Sequence, residues 1–124
     1  MNTREITVLT DVSLITCVVQ KGLANKVIQA ALNAGAQGAT IFYARGEGVR
    51  ERLGIFALAV EVEKEVILVL VANDQTDAVF EHMYFAGELD TPGMGLMYLT
   101  ELEKLATYIP PDVISRLALR DSST

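Results

Sequence analysis

The chain has one cysteine, one histidine and no two basic residues side by side. A single thiol, Cys17, cannot close an intrachain disulfide. It lies inside the apolar run SLITCVVQ and reads as a reduced core thiol, so the cytoplasm is the expected location. His82 has no second histidine or cysteine at ligand spacing, which argues against a metal site. It sits between Glu81 and Met83 at the edge of a helical stripe and reads as a surface residue. Ser13 and Ser115 have no neighbouring base, so no Ser-His-Asp set is visible and no catalytic residue is assigned. The net charge of −6, with no Lys/Arg run to offset it, speaks against nonspecific nucleic-acid binding. The longest unbroken apolar stretch, Val66 to Ala72, falls well short of the ~20 residues a membrane span needs. The start, MNTREITVLTD, has no apolar core behind a basic start and is not expected to act as a secretory signal.

What is present suits one domain. A chain of 124 residues buries roughly two-thirds of its unfolded surface and folds without staples. Residues 1–12 read as a mobile or lightly docked lead-in, residues 13–109 as the domain, and residues 110–124 as a tail ending in the polar DSST. Ser13 to Gln20 is β-branched and apolar, a strand. Leu23 to Ala34 carries one apolar stripe (Leu23, Val27, Ile28, Ala31, Leu32) and reads as a helix closed by Gly35. Gly38 to Ala44 is a second strand, followed by the polar loop RGEGVRERLG. Ile55 to Val62 and Val66 to Val71 are apolar, and Glu63-Lys64-Glu65 between them reads as a turn or a bulge. The alternation of Glu61, Glu63 and Glu65 suggests a wet face or a hairpin rim. Asn73 or Asp74 is expected to cap a second helix whose inner face holds Val79, Met83 and Ala86, and which Gly87 ends. Met83, Met94 and Met97 read as core or interface filler. After GELDTPGMG, Leu96 to Thr100 is a fourth strand. Glu101 to Tyr108 reads as a short helix stopped by Pro110-Pro111.

The order strand, helix, strand, strand, helix, strand predicts an α+β, ferredoxin-like βαββαβ fold: an antiparallel sheet with two helices on one face. A sheet covered on one face should alternate apolar and polar residues. LITCVV, ATIFYA and VILVLV do not alternate. The second face is therefore expected to be covered by other copies of the chain, in a closed oligomer.

Several segments in the same order resemble the PII signalling proteins, the nitrogen-regulatory family. GAQGATI (Gly35 to Ile41) is similar to that family's glycine-rich lead into its second strand. RGEG (Arg45 to Gly48) resembles the K-G-x-G start of its long T-loop. LVANDQTDAVFEHM (Leu70 to Met83) resembles its third strand, V-A-D-D-Q cap and second helix. GMG (Gly93 to Gly95) falls on its G-x-G-K phosphate-binding B-loop, and ELEKL (Glu101 to Leu105) on its D-L-E-x-A segment. The resemblance spans about Leu14 to Tyr108. It implies a non-enzymatic regulator that forms a homotrimer. ATP, ADP or AMP, or another small anionic effector, would bind in clefts between neighbours, with no permanent cofactor. The T-loop would dock on a metabolic enzyme or membrane transporter.

The departures bear on the same site. The T-loop is short: Gly48 to Val60 holds about a dozen residues and no tyrosine, so the nucleotidylylation site of bacterial members is missing. Leu96 stands at the B-loop lysine position, and ATYIP lacks the arginines that follow the family's last strand. Each missing charge-assisted contact is worth about 1.5–3 kcal/mol. Arg45, Arg50 and Arg52 are either a replacement anion site or a solvated cluster paired to Glu47 and Glu51. By the resemblance, Thr40 contacts the adenine; the alternative is a plain strand threonine. Effector-binding candidates are thus Thr40, Arg45, Gly46, Glu47, Gly48, Val49, Arg50, Gly93, Met94 and Gly95. For the last three, a type II turn at Pro92-Gly93 is the competing reading. Arg52, Leu53, Ile55 and Phe56 are partner-binding candidates, with a strand running into the oligomer as the alternative for the apolar stretch Leu53 to Leu58. A scaffold that kept the trimer and lost the pocket is the competing function.

Overall fold

The computed structural model describes residues 4–45 and 63–113. Strand β1 is Val8–Leu9, β2 is Val12–Gln20, helix α1 is Ala24–Asn33 and β3 is Ala39–Arg45. Strand β4 is Glu63–Ala72, helix α2 is Thr76–Ala86, β5 is Gly95–Leu102 and β6 is Leu105–Ala106. Four strands form one antiparallel sheet in the order β3-β4-β2-β5. β4 lies between the parallel pair β2 and β3, and β2 lies between the parallel pair β4 and β5. This is the ferredoxin-like split βαβ expected from the element order.

Strand residues two apart share a face. Ile15, Cys17 and Val19 of β2 and Ile67, Val69 and Val71 of β4 point toward the helices and are buried there. They meet Val27 and Ala31 of α1 and Val79 and Met83 of α2, the helical stripes read from the sequence. Each such aliphatic side chain contributes roughly 1.5–3 kcal/mol of burial.

The opposite sheet face is built differently. Phe42, Leu70 and Tyr98 stand exposed on it, and Leu14, Val18, Leu68 and Leu96 are only half-buried. The same face buries Thr16, Lys64 and Val66, but neither of the two helices packs over it.

Four local expectations fail. Glu63-Lys64-Glu65 is neither turn nor bulge: it opens β4, in unbroken register with β2 (Val19 opposite Glu65, Gln20 opposite Lys64). Glu65 is not on a wet face either, being 8% exposed. The strand tolerates it because its carboxylate has backbone donors, described below. The expected cap of α2 is absent. A 3-10 turn, Asn73–Gln75, precedes that helix with no side-chain cap. Asn73 Oδ1 instead accepts a hydrogen bond from Ser13 Oγ at 2.6 Å, joining the end of β4 to the start of β2.

The helix expected over Glu101 to Tyr108 is also absent. β5 runs on to Leu102, and Leu105–Ala106 pairs antiparallel with Val8–Leu9. The pairing offset of β2 with β5 (Val12 opposite Leu102) continues into this ribbon (Leu9 opposite Leu105). Two residues on each side, Thr10-Asp11 and Glu103-Lys104, separate sheet from ribbon. Asp11 turns the chain there with φ 58°. The lead-in is thus docked by strand pairing from Val8 onward.

Candidate functional site

The register places the two glycine loops. Gly95 of β5 lies opposite Val19, Val19 opposite Glu65, and Glu65 opposite Tyr43. These four residues form one row across the sheet. The second loop therefore leads into β5 at the same end of the sheet where β3 stops at Arg45 and β4 starts at Glu63. The strands that flank the two loops share this end, and β3 and β5 are the two edges of the sheet. Three interstrand steps of about 4.8 Å put Tyr43 and Gly95 roughly 14 Å apart in one protomer.

The second loop has its own structural explanation. Thr91 to Met94 is a β-turn: Met94 N–H donates to the Thr91 carbonyl (3.3 Å), and Gly93 has φ 81°. Pro92 followed by a glycine in that conformation is the type II pattern. The Gly93 carbonyl accepts from Gln20 Nε2 at 3.1 Å. Gly95 has φ 146°, and a Cβ built there would lie 2.1 Å from the Val18 carbonyl oxygen. Glycine at Gly95 is required by the close approach of β5 to β2.

The strand ends that bracket the first loop form an open cavity of about 590 Å³ with the turn after β2. Lys21, Tyr43, Arg45, Glu63, Lys64 and Glu65 line it. Glu65 is the organising residue. Its Oε1 accepts the N–H of Gly22 (2.6 Å) and of Ala24 (3.0 Å). The N-terminus of α1 has no side-chain cap from its own segment. A carboxylate from the neighbouring strand takes that place, where the helix dipole favours negative charge. The sequence reading missed this role. The signal was present in an acidic residue inside an otherwise apolar strand, but the partner lies 41 positions away. Beside it, Lys21 Nζ pairs with Glu63 at 3.0 Å on the surface. The Glu63 hydrogen bond and charge hold the Lys21 ammonium above its ordinary pKa.

Of the predicted effector residues, Thr40 is exposed on β3, on the sheet face away from the helices. Five residues of strand, about 17 Å, separate it from Arg45 at the other end of β3, on the opposite face. Gly93, Met94 and Gly95 lie at the far edge. Within one protomer Thr40 and the second loop do not come together. Gly46, Glu47, Gly48, Val49, Arg50, Arg52, Leu53, Ile55 and Phe56 fall outside the described residues. Among the described residues, no group of three or more histidine, cysteine, aspartate or glutamate side chains could hold a metal ion. No helix among them is long and apolar enough to cross a membrane.

The architecture is that of a ferredoxin-like α+β domain with loops of both sheet edges gathered at one end. The family model for Nitrogen regulatory protein P-II matches residues 12–108. The chain belongs to the PII family. Members of that family are regulators and not enzymes; they form trimers and bind effectors and partner proteins. The fold is also that of the crystal structure of Arabidopsis thaliana PII bound to citrate, at a TM-score of 0.60 and 19% identity. That match covers 76% of this chain and 79% of the plant chain. No curated protein matches the sequence.

Proposed function

We propose that this PII protein is a trimeric regulator whose effector sites lie between neighbouring copies. One copy would supply Thr40, Arg45 and the first loop through Arg50. Its neighbour would supply Gly93, Met94 and Gly95. The observation that carries this reading is that Arg45, where β3 ends, and Gly95, where β5 begins, lie at one end of the sheet but on opposite edges. Strand ends ~14 Å apart in one chain can line a common cleft when a second copy brings its edge alongside. The unpacked apolar sheet face supplies the driving force for that assembly. The effector is an adenine nucleotide or a small anionic metabolite, and binding shifts the population of loop states that a partner enzyme or transporter distinguishes. The fold neighbour's citrate is a precedent for a small carboxylate on this fold.

Calorimetric titration with ATP, ADP, AMP and 2-oxoglutarate tests the reading. Saturable heat with at least one of them, one ligand per chain, is the expected result. No heat from micromolar to millimolar ligand sinks it.

A second reading, a scaffold that kept the assembly and lost the pocket, has one specific observation behind it. Gly93 and Gly95 are both accounted for by backbone geometry alone. Under that reading, Gly93→Ala leaves partner binding unchanged and only surface changes at residues 53–58 weaken it. Under the effector reading, Gly93→Ala lowers ligand affinity first.

A further inference from the structure

At the end of the sheet where β2 begins, only the β1–β6 ribbon continues. β4 stops at Ala72, opposite Val12, and β3 begins at Ala39, opposite Val69. Ile6 lies six positions before Val12, a reach of up to about 20 Å in extended chain. The direction of the ribbon is set where it leaves the sheet: Asn73 N–H donates to the Asp11 carbonyl at 2.9 Å. Residues 4–11 also precede the family match, which begins at residue 12. Strand β1 is therefore a feature of this chain outside that match.

The two faces of the ribbon differ. Leu9 and Leu105 are half-buried, and Ile109 is 8% exposed. Val8 and Ala106, the pair beside them, are exposed. The same offset carried two residues further sets Ile6 opposite Tyr108, at 82% and 81% exposed. Among the described residues, these are the two most exposed large apolar side chains. A two-stranded ribbon is marginal in water without a surface to lie on, and its outer face has none in the protomer. Counting in twos puts that outer face in line with the open face of the sheet. Val12 and Leu102 pair on the face of Leu14 and Leu70. Two residues separate sheet from ribbon on each strand, so the alternation carries on to Val8 and Ala106, then to Ile6 and Tyr108.

We propose that the ribbon is an arm that lays Ile6, Val8, Ala106 and Tyr108 against a second copy of this chain. The inference rests on the assembly part of the reading above and is independent of any effector. The copy that covers the open sheet face is the one the arm meets, because the outer face of the ribbon carries that apolar surface past the end of its own protomer. Members of the family form trimers, so neighbouring copies are the surface within reach. Ala106 and Tyr108 fall inside the family match, whereas Ile6 and Val8 are added by the strand that precedes it.

The chain has no tryptophan, so Tyr108→Trp puts a single indole on the arm. Fluorescence and light scattering are read on the same samples of the full chain, dissociated by dilution or, for a tight assembly, by Tyr98→Asp. The expected result is blue-shifted emission in the assembled protein that moves to that of a solvated indole as the copies separate. Ile6→Asp in this background should raise the concentration of half-dissociation by roughly tenfold, the loss of one buried aliphatic contact. Glu5→Gln, an exposed neighbour, should leave it unchanged. An assembled protein whose indole stays solvated overturns the arm and leaves the assembly reading standing. Blue-shifted emission that persists after dissociation also overturns it, because the cover then comes from the same chain. A chain that is monomeric at every concentration removes both the assembly and the arm.

Discussion

Replacing Gly95 with alanine should unfasten the end of β5 from β2. The new Cβ would lie 2.1 Å from the Val18 carbonyl oxygen and 3.3 Å from Leu89 Cδ2. The first contact is roughly 1 Å or more inside van der Waals distance. The obstacle is backbone and cannot rotate away as a side chain could. Overpacking of this kind costs about 1–3 kcal/mol. A φ of 146° adds strain for any residue with a Cβ, about 1–3 kcal/mol more. The chain can relieve part of this by giving up the Gly95–Val19 end of the ladder, at about 1 kcal/mol per lost hydrogen bond. The net loss should therefore be about 2–4 kcal/mol. For a chain of this length that lowers Tm by roughly 8–16 °C.

Gly93→Ala is the control. Its φ of 81° is the left-handed conformation of a type II turn, for which alanine costs only about 1–2 kcal/mol. Scanning calorimetry on both variants, ligand-free and at one protein concentration, gives the comparison. A Gly95→Ala protein melting within 3 °C of wild type, or above Gly93→Ala, would refute the close-approach argument. Gly95 would then owe its identity to a ligand, and loss of binding with unchanged Tm would be its signature.

Two further predictions concern the core and the open sheet face. Burial pushes the Cys17 thiol from its ordinary 9.0 up to about 12. Native protein at pH 8 should resist iodoacetamide, whereas denatured protein should react fully. The unfolded thiol loses its proton above about pH 9 while the folded one keeps it, so this contribution to stability is intact below pH 9 and declines toward pH 12. Cys17→Ala should show a smaller fall in Tm than wild type between pH 9 and 10.5; an equal fall contradicts the buried, neutral thiol. On the open face, Leu70 is 42% exposed and Tyr98 51% exposed in the protomer. Leu70→Asp and Tyr98→Asp should each cost the isolated fold less than about 1 kcal/mol. They should still convert the proposed trimer to monomer in light scattering; a trimer that survives both changes removes this face from the assembly.

The fold was legible because its core elements are locally periodic. The stripe Val27–Ala31 and the β-branched runs of β2 and β4 announce themselves within ten residues. What was not legible depends on partners far along the chain. Leu102 and Leu105 fit a helical spacing as well as a strand-turn-strand, and the choice is made by Val8–Leu9, nearly a hundred residues earlier. Glu65 looks like an interruption until the donors of Gly22 and Ala24 are seen beside it. The same holds for Asn73, whose expected capping role is replaced by a bond to Ser13, 60 positions away. At the candidate site the glycines were found, but glycine alone does not separate turn from cradle. Gly93 satisfies the turn reading in full, and its ligand role stays with the experiment.

The sheet leaves two features of this chain open for a single geometric reason. Two helices of ten and eleven residues pack over one face of the four-strand sheet. The other face then leaves Phe42, Leu70 and Tyr98 exposed, with neither helix over them. The same strand order puts Arg45 and Gly95 on opposite edges, so neither edge alone gathers the described candidate residues. At the second edge the residue after Gly95 is Leu96, which brings no charge to an anion. At the first, the described cations Lys21, Arg45 and Lys64 stand beside Glu63 and Glu65. An anionic effector there must compete with Glu63 for Lys21, which a surface ion pair of this kind permits at little cost. Under the proposed function, backbone groups on one edge and cations on the other would be complementary halves of an anion site. A neighbouring copy is what would bring the halves together, and its sheet face would cover the apolar surface in the same step.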